Sequence, residues 1–182
     1  MDQVWVLLLR GVNVGANNRL PMADFRAMLG GLGLGSVQTY IQSGNAVFRS
    51  DLAAEALDSL ISAAIAAQFG FRAALFLRTL SQVEAVLAAN PYPLGEDDPK
   101  TRHIFFLAEP APDTDLAALQ ALAQTEAFTL TDAAFYLFAP GGIGRSVLVQ
   151  KLPRYLKVPH TARNLRSINA VADLARTLDK PC

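Results

Sequence analysis

The sequence has little of what disulfides and metal sites require. Among 182 residues there is one cysteine, Cys182, and the two histidines, His103 and His160, are far apart. A lone cysteine has no partner within the chain, and neither histidine has a cysteine, a carboxylate or a second histidine at metal-binding spacing. We therefore expect no disulfide framework and no metal site, which suits a reducing cytoplasm.

From the hydrophobic pattern of the sequence we also expect neither a signal peptide nor a membrane-spanning segment. The apolar run Val4 to Leu9 is too short for either, and Asp2, rather than a basic cluster, precedes it. We expect a cytoplasmic protein, and the 52% hydrophobic content supplies ample material for a core.

The charges of the chain balance overall, but one stretch contains no acidic residue. Sixteen basic and sixteen acidic residues cancel, so the net charge predicts no general attraction to nucleic acid or anionic lipid. Between Asp132 and Asp173, however, there is no acidic residue, and the basic residues in this gap are Arg145, Lys151, Arg154, Lys157, Arg163 and Arg166. A solvated helical surface and an anion-binding surface both explain this local excess.

Hydrophobic periodicity predicts an α+β fold whose first half has the element order βαββαβ, the ferredoxin-like order. Strands are predicted at 4–9, 37–42, 47–48 and 71–78, with helices after Pro21 and after Asp51, which can cap the second helix. Gly44-Asn45 is predicted to be a two-residue hairpin turn. With right-handed crossovers the third strand lies between the first two, so residues 10–18 and 42–45 should be neighbours at one end of the sheet.

A second, smaller α+β subdomain is predicted beyond a linker at residues 91–100, which follows a short helix with a capping-box pattern at Ser81-Gln82-Val83-Glu84. We place the subdomains at residues 1–90 and 101–182. The second should contain a strand at 103–108, a helix capped by Asp113 or Thr114, a hairpin, and a C-terminal helix introduced by Thr161 to Asn164. Its element order resembles that of the first half without a residue-level repeat, so the order alone suggests a duplication.

The loop from Arg10 to Asn18 and the hairpin turn supply groups that bind anions: a guanidinium, carboxamides, a hydroxyl and glycine-exposed backbone N–H groups. The candidate ligand-binding residues are Arg10, Gly11, Asn13, Gly15, Asn18, Gln42, Ser43, Gly44 and Asn45. The alternative is structural, since asparagine tolerates left-handed backbone and Gly-Asn suits a turn. The expected convergence of two polar segments favours a binding site. The suitability of these residues for turns favours a structural role to the same degree, so both interpretations stay open.

Two further candidates lie in the C-terminal third. Gly141 to Ser146, which includes Arg145, leads into a predicted helix whose start can hold an anion. This segment lacks the features of the known nucleotide-binding loops, so loop flexibility is the favoured interpretation. Arg163 and Asn164, at the mouth of the last helix, could order a ligand or pin that helix to the sheet, and both roles remain open.

Several motifs resemble those of one bacterial family. The segments Leu8 to Gly15, Pro21-Met22, Tyr40 to Asn45, Gly144 to Ser146 and Thr161 to Asn164 are similar to the bacterial proteins grouped as domain of unknown function 1697. Leu165 departs from the family pattern, which favours tryptophan there. The resemblance implies an α+β fold of two subdomains, and it implies no established activity or cofactor.

We expect a ligand-binding protein with a pocket between its subdomains, for a phosphorylated or nucleotide-like ligand. One wall would contain Arg10, Asn13, Ser43, Gly44 and Asn45, and the other Arg145, Ser146, Arg163 and Asn164. A first alternative is single-stranded nucleic-acid binding, for which the first and third strands offer only Trp5 and Phe48 as stacking rings. A second is an enzyme in which Ser43 or Ser146 acts with His160. The sequence assigns no catalytic residue, cofactor or oligomeric state.

Overall fold

Two four-stranded antiparallel sheets organise the chain. The computed structural model describes residues 2–15, 18–94 and 98–180. By contact density the chain divides into unit 1, residues 1–87 with 169–182, and unit 2, residues 88–168. The expected α+β fold with two subdomains is confirmed.

Unit 1 has the predicted βαββαβ order, followed by a third helix. Its elements are β1 (Gln3–Arg10), α1 (Met22–Gly31), β2 (Gly35–Tyr40), β3 (Asn45–Ser50), α2 (Ala54–Phe69), β4 (Ala74–Thr79) and α3 (Leu80–Ala88). The sheet order is β2-β3-β1-β4, and every neighbouring pair is antiparallel. The third strand therefore lies between the first and the second, as right-handed crossovers predict.

Strand β1 is the centre of unit 1. All six residues from Val4 to Leu9 are at most 4% exposed, which confirms the prediction of a strand buried on both faces. Because side chains alternate along a strand, Trp5, Leu7 and Leu9 share one face, where they join a core with Phe25 of α1 and residues of α2. The end of this strand at Arg10 is the position from which the candidate loop departs.

The turn between β2 and β3 is longer than predicted. Tyr40 pairs with Asn45, so residues 41–44 form a four-residue connection and Asn45 is the first residue of β3. The prediction of a two-residue turn at Gly44-Asn45 was wrong, because Asn45 belongs to the strand and its side chain closes the turn. Its Nδ2 donates to the carbonyl of Tyr40 at 3.1 Å and to Ser43 Oγ at 2.7 Å. Gly44 has φ +68° and Ile41 has φ +47°.

Two helix starts in unit 1 differ from those expected. The cap position of α2 is Ala53, without a side-chain bond, rather than Asp51. At α3 the capping box is formed two residues earlier than predicted: Thr79 N–H donates to Gln82 Oε1 at 2.9 Å, and Gln82 N–H to Thr79 Oγ1 at 3.2 Å. The predicted partner Glu84 instead accepts a charged hydrogen bond from Arg176 at 2.8 Å.

Unit 2 repeats the strand order of unit 1. Its elements are β5 (Arg102–Leu107), α4 (Leu116–Leu122), β6 (Ala127–Leu130), β7 (Ala134–Phe138), α5 (Val147–Tyr155) and β8 (His160–Asn164), and α6 (Leu165–Asp179) follows. The sheet order β6-β7-β5-β8 corresponds to β2-β3-β1-β4, with antiparallel pairing throughout. Asp115, rather than Asp113 or Thr114, caps α4, because its carboxylate accepts from Ala118 N–H at 2.9 Å.

The segment Thr161 to Asn164 belongs to the last strand of unit 2, and α6 begins directly after it. Thr161 pairs with Phe106 and Arg163 pairs with Ile104 of β5. The cap of α6 is Asn164, whose Oδ1 accepts from Ser167 N–H at 2.8 Å. Of the four residues that were predicted to introduce this helix, only Asn164 caps it, since Thr161 to Arg163 are paired in the strand.

The boundaries between the units also differ from the expected ranges. From Asn169 onward, α6 belongs to unit 1, where Arg176 contacts Glu84 of α3 and the Arg49 guanidinium donates to the carbonyl of Leu178 at 2.7 Å. In the expected linker, residues 95–97 lie outside the described ranges. Tyr92, earlier in that segment, bonds Thr129 through its hydroxyl at 3.1 Å.

We predict that Gly44→Ala destabilises the protein by about 2–4 kcal/mol. A Cβ at Gly44 would lie 2.5 Å from Val12 Cγ2 and 2.8 Å from Leu9 Cβ, and the residue has positive φ. Gly70→Ala is the matched control, since Gly70 has φ +75° but open space around it and should lose only about 1 kcal/mol. Equal shifts of the two urea unfolding midpoints would contradict a steric role for Gly44.

A second prediction concerns His103 of β5. Burial lowers its pKa to about 4, against about 6.5 in an unfolded chain. Between these values the unfolded chain binds more protons, so acidification from about pH 6.5 to pH 4 should lower the free energy of unfolding, by up to about 1.4 kcal/mol per pH unit. Urea titrations should show a smaller decrease in His103→Gln. The same pH slope in both proteins would disprove the assignment.

Candidate functional site

The loop after β1 and the turn before β3 are in contact, as the strand order predicts. Leu9 N–H donates to the carbonyl of Gly44 at 2.8 Å, and Asn13 Nδ2 donates to the carbonyl of Gln42 at 3.0 Å. Residues 16 and 17 of the loop, Ala16 and Asn17, lie outside the described ranges. The two segments therefore form one surface at the end of β1.

The Asn13 carboxamide holds this surface together. Besides its bond to Gln42, its Nδ2 donates to the carbonyl of Leu20 at 2.9 Å and its Oδ1 accepts from Leu20 N–H at 2.8 Å. Asn18 Nδ2 likewise donates to the carbonyl of Gly11 at 3.0 Å. Both asparagines have positive φ, +54° and +53°. Their carboxamides therefore have the structural role that the sequence left open.

The turn residues are similarly occupied. Asn45 is fully buried, and its Nδ2 bonds the Tyr40 carbonyl and the Ser43 hydroxyl. Gln42 contributes its backbone carbonyl to Asn13. The hydrogen bonds of these residues stabilise the turn. The groups that are left for a ligand are those at the end of β1 and in the loop that follows it.

Arg10 is the exposed cation at this edge. It is the last residue of β1, opposite Ala74, and its guanidinium has no hydrogen bond or salt bridge to any part of the chain that the structure describes. Arg72, two residues before Ala74, and Arg19, in the loop, are also exposed. We call Arg10, Arg19 and Arg72 the cationic edge.

No acidic residue lies in the segments that form the cationic edge. The sequence has none between Asp2 and Asp24, between Asp24 and Asp51, or between Asp58 and Glu84. The loop backbone adds to the positive potential, because Gly11, Asn13 and Gly15 have φ values of +74°, +54° and +64°. Left-handed residues that alternate with others are typical of anion-binding nests. Within this stretch the N–H of Asn13 already donates to the carbonyl of Asn18 at 3.0 Å. This edge suits an anion.

Sequence reasoning missed Arg72. Its only signal is the strand register, because Arg72 comes close to Arg10 through the pairing of Arg10 with Ala74. The two arginines are sixty-two positions apart in the chain, so no local motif contains both.

Ser146 faces a carboxylate of the protein itself. Its Oγ accepts from Val149 N–H at 3.2 Å at the start of α5. It also hydrogen-bonds Glu126, and this bond is the main reason that the pKa of the Glu126 carboxyl is lowered to about 2, with backbone N–H groups such as that of Gln124 adding to the effect. The negative charge near this helix start is thus supplied internally. Arg145, in the preceding 3-10 turn, is exposed.

Arg163 and Asn164 have structural partners in unit 2. Arg163 is 8% exposed and donates to Thr161 Oγ1 at 3.0 Å and to the carbonyl of Ala162 at 2.8 Å. Burial lowers its pKa to about 10. Asn164 caps α6. Of the two roles that the sequence allowed, these contacts favour fixing the last strand and helix.

The residues considered for an enzyme and for a nucleic-acid-binding protein are occupied or buried in the structure. His103 and His160 pair with Asn164 and Leu107, at opposite ends of the β5–β8 pair. His160 Nδ1 bonds the carbonyl of Val158 at 2.9 Å, while the Ser146 hydroxyl is used by Val149 and Glu126. Trp5 and Phe48 are buried in the core of unit 1, so neither ring is available to stack on a base.

Within residues 2–15, 18–94 and 98–180, no three His, Cys, Asp or Glu side chains are grouped as a metal site would need. In the same ranges, no helix combines the length and the apolar character required to cross a bilayer.

We predict that Glu126→Gln lowers stability in a pH-dependent way. The folded carboxyl has its pKa lowered from 4.5 to about 2, so its stabilising contribution is complete above about pH 4.5 and is lost as the pH falls toward 2. The effect should be modest, because solvent screens this partly exposed group. Thermal unfolding at several pH values from 7 downward should show the deficit of the variant shrinking with acidity. A deficit that is constant with pH would contradict this account.

Comparison with known proteins gives a family without an assigned activity. The solved structure of conserved bacterial protein SP0830 from Streptococcus pneumoniae is similar to this chain, with a TM-score of 0.72 and 25% sequence identity, over 96% of this chain and 99% of that one. No curated protein matches significantly. The model of a family described as protein of unknown function, DUF1697, matches residues 2–136. The chain therefore belongs to the DUF1697 family.

Proposed function

We propose that this protein is a cytoplasmic binding protein that takes a phosphorylated or nucleotide-like anion at the cationic edge of unit 1. The observation that carries the proposal is the exposed guanidinium of Arg10, which has no partner among the described residues. It lies beside a loop that is fixed by the hydrogen bonds of its own side chains. The strand order supports a ferredoxin-like arrangement of this unit, in which the ends of β1 and β2 meet the starts of β3 and β4.

The loop is organised before any ligand arrives. Asn13 and Asn18 together make four side-chain hydrogen bonds to the backbone of the loop and turn. A preformed loop loses less conformational entropy on binding, which leaves more of the interaction energy for affinity. Arg10 extends from the end of a strand that is paired on both sides, so its backbone is fixed as well.

The chemistry of the edge favours phosphate. A guanidinium forms two parallel hydrogen bonds to phosphate oxygens, and left-handed glycines such as Gly11 allow the backbone to approach a ligand closely. The absence of acids from the contributing segments removes the main source of repulsion. Because Ser146, Arg163 and Asn164 have structural partners, the proposal rests on unit 1, and a contribution from Arg145 stays a prediction.

A thermal-shift panel tests the proposal. ATP, inorganic pyrophosphate and glucose 6-phosphate should include at least one compound that raises the unfolding temperature of the wild-type protein. For that compound, Arg10→Ala should weaken binding measured by calorimetry by about 10- to 100-fold, the effect of losing hydrogen bonds to a charged group. Arg72→Ala should also weaken binding, since Arg72 belongs to the cationic edge.

Arg26→Ala is the matched control, since it removes an exposed arginine from α1, outside the cationic edge. It should bind like the wild type. If Arg10→Ala and Arg26→Ala have equal effects, or if no compound in the panel binds the wild type, this edge is not the site.

A further inference from the structure

Unit 2 contains a cavity at the end of its own first strand, and all of the residues that line it belong to unit 2. Its volume is about 290 Å³, and its walls are the connection from β5 to α4 and the connection from α5 to β8. We propose that this cavity binds a small zwitterion of the α-amino acid type, with Lys157 binding its carboxylate and Glu109 or Asp113 its ammonium group.

Charges of both signs line the cavity. Lys157 contributes an ammonium group and Glu109 and Asp113 contribute carboxylates. Over the ranges that the structure describes, none of the three forms an ion pair with another or with the rest of the chain. Lysine and carboxylates around one cavity that do not neutralise each other leave both signs available to a ligand. A ligand that carries both signs satisfies them together.

Single-charge ligands fit less well. The two carboxylates repel phosphate, so the ligand preference of this cavity differs from that of the anion site proposed for unit 1. Lys157 in turn repels a simple cation. The apolar part of the lining includes Ala111 and Val158, and the Tyr155 hydroxyl adds one neutral hydrogen-bonding group. The cavity therefore combines a hydrophobic surface with a few polar groups, as small-molecule sites do.

The size of the cavity restricts the ligand. Sites for drug-sized molecules begin at about 300 Å³, so a volume of about 290 Å³ accommodates a molecule with the dimensions of an amino acid more closely than a nucleotide.

The walls are held in place by the backbone. Ala108 N–H donates to the carbonyl of Pro159 at 2.8 Å, which ties one connection to the other. Thr114 donates to the carbonyl of Ala111 through its hydroxyl at 2.9 Å, and Pro110 and Pro112 restrict the loop between them. The backbone of both connections is therefore held in place before a ligand binds.

Nuclear magnetic resonance titration of the full chain tests the proposal. Each of the common L-amino acids is added separately, together with two single-charge probes, ethylamine and acetate. At least one amino acid should shift the amide signals of residues 109–114 and 157–158 saturably, with a Kd at least about tenfold below that of either probe.

Two variants examine the assignment of the charges. Lys157→Met and Asp113→Asn should each weaken binding of that amino acid by about tenfold or more. Lys151→Met, which changes an exposed lysine of α5 outside the cavity, is the control and should leave the Kd unchanged. Ethylamine or acetate binding as tightly as the amino acid would overturn the proposal, and so would saturable binding of none of the amino acids.

Discussion

The pairing of β1 on both sides determines what surrounds Arg10. Its register with β3 places Leu8 opposite Asn45, and its register with β4 places Arg10 opposite Ala74. Three separate segments of the chain therefore meet where β1 ends: the asparagine-rich loop, the turn at residues 41–44 and the start of β4. The close approach of Gly44 to Leu9 and Val12 follows from the same register.

The sequence was sufficient to predict the strands and their neighbours but not the ends of the elements. Continuous burial of Val4 to Leu9 and the βαββαβ order follow from hydrophobic pattern, which reflects the whole core. The starts of α3 and α4 were displaced because several residues near each start can cap a helix, and the end of the preceding strand decides which one does. The strand His160–Asn164 was missed because only one of its five residues, Ala162, is apolar, so it gives no alternating pattern.

The candidate site was predictable in position more than in the role of each residue. Topology brought the loop to the turn, and that contact is present. Whether a carboxamide faces a ligand or the backbone depends on atoms that no pattern specifies, and Asn13 and Asn45 both use theirs internally. Arg72 could not be found from sequence spacing, since only the pairing of β4 with β1 brings it near Arg10. The two sheets share one topology, yet the end of the first strand is cationic in unit 1 and of mixed charge in unit 2.

The helix α6 has a consequence for how the chain is made. Its residues from 169 onward belong to unit 1, so the sequence of unit 2 is inserted within that of unit 1. During translation, the first 87 residues leave the ribosome without the helix that contacts α3 and Arg49. Unit 2 is one continuous segment, so all of its residues have been made before α6 is complete. Unit 1 is complete only after synthesis has passed residue 179, so the half of the protein that is made first is the half that is finished last.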